Sequence, residues 1–282
     1  MPPKRRVRDD VGKARKKARR AREVEAAKVK RLELAVAELK RVKLLFAPVS
    51  ARCYTCIDVE AWERDSKRVT EVGVACLTTS ATAEAAWEFR HFVIEENVGC
   101  RNGRFVSDNR DYFLFGRSET VKQTVACAEL AGILARTTYL VGHDLRGDVE
   151  WLRAMGISVG GGLARPSAQI DTQQLAHATR PEKHFQIALK TLLLDHFAPI
   201  APIGMELCDL RLHNGGNDAA WTMAVLLALV ECADVAPPRP VTTSAALAAA
   251  APSAPKQRKG RRRWSAKRRR GKGRGGGGHG GG

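Results

Sequence analysis

Apolar and β-branched residues concentrate in three early runs of the chain, Cys53–Ala61, Val69–Thr78 and Ala86–Ile94. Each run is rich in strand formers and bounded by polar turns, which predicts an antiparallel meander of three strands. Residues 95–118 lose that pattern and carry turn signals at Asn102-Gly103 and Ser107-Asp108-Asn109, so they read as a loop. The apolar spacing then becomes helical, and Val121, Val125, Leu130, Ile133 and Leu134 predict a helix over Glu119–Arg136. A short strand follows at Thr138–Val141, a helix at Gly147–Met155 stopped by Gly156, and a short strand at Gln169–Asp171. Ile187, Leu189, Leu192, Leu193 and Leu194 predict a helix over Phe185–Phe197, and a last helix spans Asn217–Cys232 with Asn217 as its N-cap.

Ahead of these elements, residues 10–46 read as one long helix, with Val29, Leu32, Val36, Leu39 and Phe46 on one stripe. Such a stripe packs on a domain first of all, but it can also pair with another helix or face RNA. Residues 24–46 are therefore a candidate surface for self-association or a protein partner. Strands first, then strands alternating with helices, predict an α/β fold with a mixed β-sheet flanked by helices. After Pro237 the chain becomes Pro-, Ala- and Ser-rich, then Arg/Lys-rich, then Gly-rich, which predicts a linker and a disordered basic tail. The expected organisation is a basic helical arm over 1–47, a globular domain over 48–236 and a tail over 237–282.

Charge sharpens that division. The net +18 is carried by the ends: residues 1–46 hold 17 Lys/Arg against 6 Asp/Glu, and residues 239–282 hold 13 Lys/Arg and no acid. The middle is mildly acidic, with 18 basic and 24 acidic residues. Two basic arms around an acidic domain point to a polyanion, with nucleic acid the first candidate and RNA ahead of DNA. A solvated tail with only a localisation role is the bland alternative. Lys4-Arg5-Arg6, Arg15-Lys16-Lys17, Arg261-Arg262-Arg263 and Lys267-Arg268-Arg269-Arg270 match nuclear import signals.

Seven cysteines, an odd number with several in apolar runs, fit reduced thiols in an intracellular protein of the nucleus or cytoplasm. Cys53 and Cys56 lack the second pair that a structural zinc site needs. No secretory signal and no run of membrane-spanning length is visible, so no membrane partner is expected.

Candidate chemistry lies at four places. Asp58 and Glu60 are two apart on an expected strand, so both carboxylates share a face, about 7 Å apart at Cα. Hard oxygen ligands at that spacing suit Mg²⁺ or Mn²⁺, although a solvent-facing acidic strand would look the same. Asp148 opens an expected helix, where a carboxylate is also a routine preference, and Asp144 stands at the preceding strand end. His213 and Asp218 flank Gly215-Gly216, which suggests a close approach just before a helix. A histidine there can act as general base beside a metal-ligand acid, or merely sit exposed near a cap.

In combination, Ile57-Asp58-Val59-Glu60, Gly142-His143-Asp144-Leu145-Arg146-Gly147-Asp148 and His213-x₄-Asp218 resemble the three motifs of the DEDDh exonuclease group in the ribonuclease H-like superfamily. Ile170-Asp171-Thr172 and Leu189-Lys190-Thr191-Leu192 extend the likeness. The chain is also similar to a fungal family typified by the yeast protein named "good for full DEAD-box protein activity". That similarity rests on Ile57-Asp58-Val59-Glu60-Ala61-Trp62-Glu63, Thr70-Glu71-Val72-Gly73, Phe113-Leu114-Phe115-Gly116-Arg117-Ser118-Glu119 and His213-Asn214-Gly215-Gly216-Asn217-Asp218-Ala219. The chain departs from the exonuclease group in two places: Ala61-Trp62 stands where Thr and Gly usually follow the Glu, and Asp144 where Asn is usual.

The resemblance implies a ribonuclease H-like fold and 3′–5′ exonuclease chemistry on RNA or single-stranded DNA. Asp58, Glu60, Asp148 and Asp218 would hold two divalent cations, Mg²⁺ or Mn²⁺, and His213 would deprotonate a water. The alternative is a non-catalytic RNA-binding adaptor in messenger-RNA export or remodelling. Candidate nucleic-acid contacts are Trp62, Phe115 and Arg117 near the site, within a stretch that also offers Arg101, Arg104, Arg110, Phe105, Tyr112 and Phe113. Those aromatics could equally fold the loop onto the domain. In the tail the candidates are Arg261, Arg262, Arg263, Trp264, Lys267, Arg268, Arg269 and Arg270.

Overall fold

The computed structural model describes residues 4–46, 51–80, 84–165, 168–181, 186–200, 207–232 and 235–241. The tail candidates Arg261–Arg263, Trp264 and Lys267–Arg270 lie outside the described residues. Three long strands, β1 (Arg52–Trp62), β2 (Asp65–Thr79) and β3 (Ala86–Ile94), form the expected meander. β1 and β2 pair antiparallel with Asp58 across from Gly73 and Glu60 across from Glu71. Two short parallel strands, β5 (Tyr139–Gly142) and β6 (Gln169–Asp171), extend the sheet beyond β1, and β4 (Ser118–Val121) lies parallel to β3 at the other edge. The order β4-β3-β2-β1-β5-β6 is the mixed, helix-flanked sheet of a ribonuclease H-like α/β fold.

Side-chain alternation along β1 divides the core. Tyr54 and Cys56 join one apolar cluster with helix α6 (Gly215–Val230), and Ile57 and Val59 join a second with α2 (Gln123–Arg136) and α3 (Leu145–Ala154). By the same parity Asp58 and Glu60 share the α6 side. Helix α6 is buried along nearly its whole length, and its Trp221 Nε1–H donates to the Leu210 carbonyl at 2.9 Å. An all-round apolar helix of this kind belongs inside a domain, and it brings the His213–Asp218 segment onto the sheet.

Several elements differ from the sequence reading. The stretch expected as helix from Glu119 begins as β4, because its backbone pairs with His91–Ile94 and Arg90 Nε grips the Glu119 carboxylate at 2.8 Å. Val121 fits a helical or a strand pattern equally, and the helix begins only at Gln123. A short helix α4 (Thr172–Thr179) was not expected; the Asp171 side chain caps it by accepting from Gln173 N at 2.9 Å. Helix α5 (Leu189–Ile200) begins later than Phe185, which falls outside the described residues.

Helix α1 (Lys4–Leu45) is longer than expected, and its apolar stripe is used in one half. Ala35 and Val42 are fully buried, Leu39 and Leu45 pack on the α6-side core, and Phe46 stacks on Tyr54 with ring centroids 4.5 Å apart. Val24, Val29 and Leu34 stay exposed. The last turns of α1 are thus packing surface, while Arg15, Lys16, Lys17, Arg19, Arg20 and Arg22 on earlier turns leave their side chains in solvent. Among the described residues no helix is long and apolar enough to cross a membrane.

Candidate active site

The site forms where α6 meets the middle of the sheet. Gly73 makes this possible: a Cβ there would lie 1.9 Å from the carbonyl carbon of Gly215. Gly215 is equally constrained, since its own Cβ would sit 3.0 Å from Gly73 N and 3.2 Å from the Asp58 carbonyl. Backbone therefore rests on backbone, and the first turn of α6 reaches β1. The two glycines lie inside the helix, not before it, because Asn214 rather than Asn217 is the N-cap; its Oδ1 accepts from Asn217 N at 3.0 Å.

His213 precedes this turn with a left-handed backbone, φ 64°. Its N–H donates to Asp218 Oδ2 at 2.9 Å, and its Nδ1 lies 3.9 Å from Glu60 Oε1. Ligand atoms of Glu60, His213 and Asp218 all fall within 4.8 Å of one another. Asp58 and Asp148 stand outside that trio but beside it. The Asp148 carboxylate accepts from the N–H of Val59, between Asp58 and Glu60, at 3.0 Å.

Asp144 is the N-cap of α3 and also left-handed, φ 64°, a conformation that short polar side chains tolerate. Its carboxylate turns to Gln186 Nε2 at 2.8 Å, while its N–H is held by Asp171 at 3.1 Å. His143 is locked between Thr172 Oγ1 and the Ile187 carbonyl.

The acids crowd one another. Burial, then Asp218, Asp148 and Glu60, push the Asp58 carboxyl well above its usual range; burial, then Asp218, Glu71 and Asp148, do the same to Glu60. Burial raises Asp148 to about 7 and Asp218 to about 8, in each case against a backbone N–H that pulls the other way. Asp218 Oδ1 is buried and has no hydrogen-bond partner among the described residues. Like charges and an orphaned oxygen at such close quarters are relieved by cations. His213 is held below its ordinary value by burial and by Lys190, so its ring is neutral at pH 7.

The raised acids carry a pH signature. Between the unfolded carboxylate range near pH 4 and the folded values of about 7 and 8 for Asp148 and Asp218, the native state binds more protons than the unfolded chain. Stability without divalent ions should therefore fall as pH rises through that window. Melting temperatures in EDTA across it provide the check, and a rise toward pH 8 would contradict the assignment.

Several residues that hold the site were not singled out for it in the sequence. Asn214 Nδ2 donates to the carbonyls of Asn109 and Arg110, and Asn217 bonds Leu114 N, Tyr112 O and Arg211 O. Together they clamp the 109–114 loop onto the start of α6. Buried asparagines with repeated backbone partners leave no periodicity signal; only their place in the His213–Ala219 string marked them.

The expected nucleic-acid contacts separate. Phe115 is a correction: its ring is buried against Trp221 and Phe89, because the loop folds its aromatics inward. Phe113 and Arg110 are buried as well, whereas Arg117 is exposed. Trp62, at a bulged end of β1, is half-buried, with the guanidinium groups of Arg64 and Arg68 each 5.8 Å from its ring. The adjoining loop is latched to this end by Asn102 and Glu63: Glu63 accepts from the N–H groups of Arg104 and Phe105. Phe105 remains exposed beneath the Arg104 guanidinium.

Residues 53–229 match the family described as DNA polymerase III subunit epsilon-like, C-terminal domain, of the DEDDh type. The chain belongs to this DEDDh family. Its curated relatives are fungal. An uncharacterized nucleolar protein of Schizosaccharomyces pombe is 30% identical over 178 residues, 61% of this chain and 67% of its own length. The Saccharomyces cerevisiae "Good for full DBP5 activity protein 2" is 25% identical over 223 residues, 68% of this chain and 37% of its own length. The DEDDh chain thus spans well under half of that second relative. Solved exonuclease I structures, one of them a zinc-bound Escherichia coli enzyme with single-stranded DNA, align at TM-scores of 0.39 and 0.36. They share 14% and 16% identity and cover 64% and 65% of this chain and 42% and 40% of theirs.

Proposed function

We propose that this DEDDh domain is a divalent-cation-dependent 3′–5′ exonuclease acting on RNA, or on single-stranded DNA. The observation that carries the reading is the meeting of Glu60, His213 and Asp218 within 4.8 Å, with Asp58 and Asp148 alongside. The residues fit Mg²⁺ or Mn²⁺: the donors are hard carboxylate oxygens, their charges repel, and Asp218 Oδ1 lacks a partner among the described residues. Bound cations would supply charge stabilisation at the scissile phosphate and ease deprotonation of a water.

The protein's own part is positional. Asp58 and Glu60 from β1, Asp148 from α3 and Asp218 from α6 are the four carboxylates that would hold two cations. His213, neutral at pH 7 and half-exposed, accepts the proton of the attacking water on its ring. Trp62 and Arg117, with the basic ends of the chain, supply contacts to bases and phosphates. Those contacts make binding salt-dependent. A nuclear or nucleolar setting is in keeping with the nucleolar relative.

The test is purified full-length protein with Mg²⁺ or Mn²⁺ on end-labelled RNA and DNA oligonucleotides. Wild type is expected to release mononucleotides from the 3′ end, and Asp58→Ala to release none. Equal residual hydrolysis in both would sink the enzymatic reading. The adaptor alternative, which draws on the relative named for DBP5 activity, would then be supported if both still bound RNA equally.

A further inference from the structure

Behind the carboxylates lies a buried charged group that the proposed chemistry does not itself call on. Glu71 sits on β2 directly across from Glu60 and is 3% exposed; His91 on β3 is fully buried and Arg110 is 2% exposed. Glu71 Oε2 lies 3.0 Å from His91 Nε2, and Glu71 Oε1 accepts from Arg110 Nε at 3.2 Å. Further partners hold the group in place. Arg110 donates to the carbonyls of Val98 and Cys100 at 2.8 and 2.5 Å, and His91 Nδ1 meets Ser118 Oγ at 2.8 Å.

Taking such groups out of water is expensive, and well-packed apolar side chains of the same volume often stabilise a fold as well or better. Stability alone therefore does not account for the group. Its connections point to the site. Glu71 Oε2 accepts from the N–H of Gly215, the first residue of α6, at 3.4 Å. Arg110 anchors the loop whose carbonyls at Asn109 and Arg110 are gripped by Asn214, the cap of that helix. Glu71 also stands across the β1–β2 ladder from Glu60, so its charge lies beside that ligand. Glu71 itself is held below its usual range, because His91 and Arg110 outweigh the effect of burial.

We propose that Glu71, clamped by His91 and Arg110, is a positioning residue for the cation site. It fixes the start of α6 so that His213 and Asp218 meet Glu60, and it adds a negative charge beside Glu60. The inference rests on the divalent-cation reading above, and it adds a residue that holds no ion itself. Partners of this kind, one layer behind the ligands, typically change metal affinity by about 10–100-fold when altered.

The experiment titrates full-length protein with Mn²⁺ near neutral pH and reads free Mn²⁺ by electron paramagnetic resonance. Glu71→Gln keeps the shape and the acceptor for Gly215 while removing the charge, and it is expected to weaken Mn²⁺ binding by about tenfold or more. Leu134→Ala, which opens a cavity in the α2-side core, serves as a comparably destabilised control and is expected to bind Mn²⁺ as wild type does. A purely structural role for Glu71 would lower the melting temperature of both variants and leave both affinities alone, which would overturn the positioning role but not the cation site. Failure of wild type to bind Mn²⁺ would overturn the cation reading and this inference together. Should Glu71→Gln not fold, Glu71→Gln combined with Arg110→Met removes both buried charges at once and carries the same expected loss of affinity.

Discussion

An Asp218→Asn protein is expected to melt above wild type in EDTA at a pH near 8, and to release almost no mononucleotide in Mg²⁺. The stability gain follows from repulsion. Asp218 is the charge felt most strongly by both Asp58 and Glu60. Asparagine removes that charge and keeps an oxygen for the His213 N–H. For a domain of this size a relief of 1 kcal/mol raises the melting temperature by roughly 2–4 °C. The loss of activity follows from the same change. A cation ligand contributes several kcal/mol of transition-state stabilisation, about 10³-fold in rate. Both readouts matter together, because a merely damaged protein would lose activity and melt lower. A lower melting temperature in EDTA would contradict the account.

Gly73→Ala is expected to be the most damaging small substitution in the domain. The added methyl would fall 1.9 Å from the Gly215 carbonyl carbon and oxygen and 2.3 Å from Gly216 N, all backbone atoms. Overpacking typically costs about 1–3 kcal/mol where side chains can shift. Here helix α6 itself must move, so roughly 3 kcal/mol or more is expected. Displacing α6 carries Asp218 and His213 away from Glu60, so hydrolysis and cation binding should fall together. Chemical denaturation with a parallel oligonucleotide assay reads both; unchanged stability would mean that α6 does not rest on β2 at Gly73.

Much of this geometry could be read from residue order. The period of two along β1 already put Asp58 and Glu60 on one face and Ile57 and Val59 on the other, and the two core clusters are divided that way. Gly215-Gly216 announced a close approach, but the glycine across from it, Gly73, lay within a strand pattern that gave no hint of what it met. β4 was hidden because Val121 satisfies both periods and nothing local says that Ser118–Val121 has an edge to pair with. α4 was hidden because eight residues are too few to establish a helical period. The inward turn of Phe113, Phe115 and Arg110 depends on partners far along the chain, Trp221 and Glu71, which composition alone cannot pair. The acid set needed only its order; the network that holds it needed the fold.

The carboxylates of β1, α3 and α6 together make the proposed seat for divalent cations. Its most direct test is the shift in melting temperature caused by Mn²⁺ or Mg²⁺, measured at a pH near 8 for wild type and for Asp58→Ala. A ligand that binds only the folded state at about 100 times its Kd stabilises by about 2.7 kcal/mol. An upward shift of several degrees is expected in wild type, and little or none in Asp58→Ala. Equal shifts in the two proteins, or none in wild type, would contradict the cation seat.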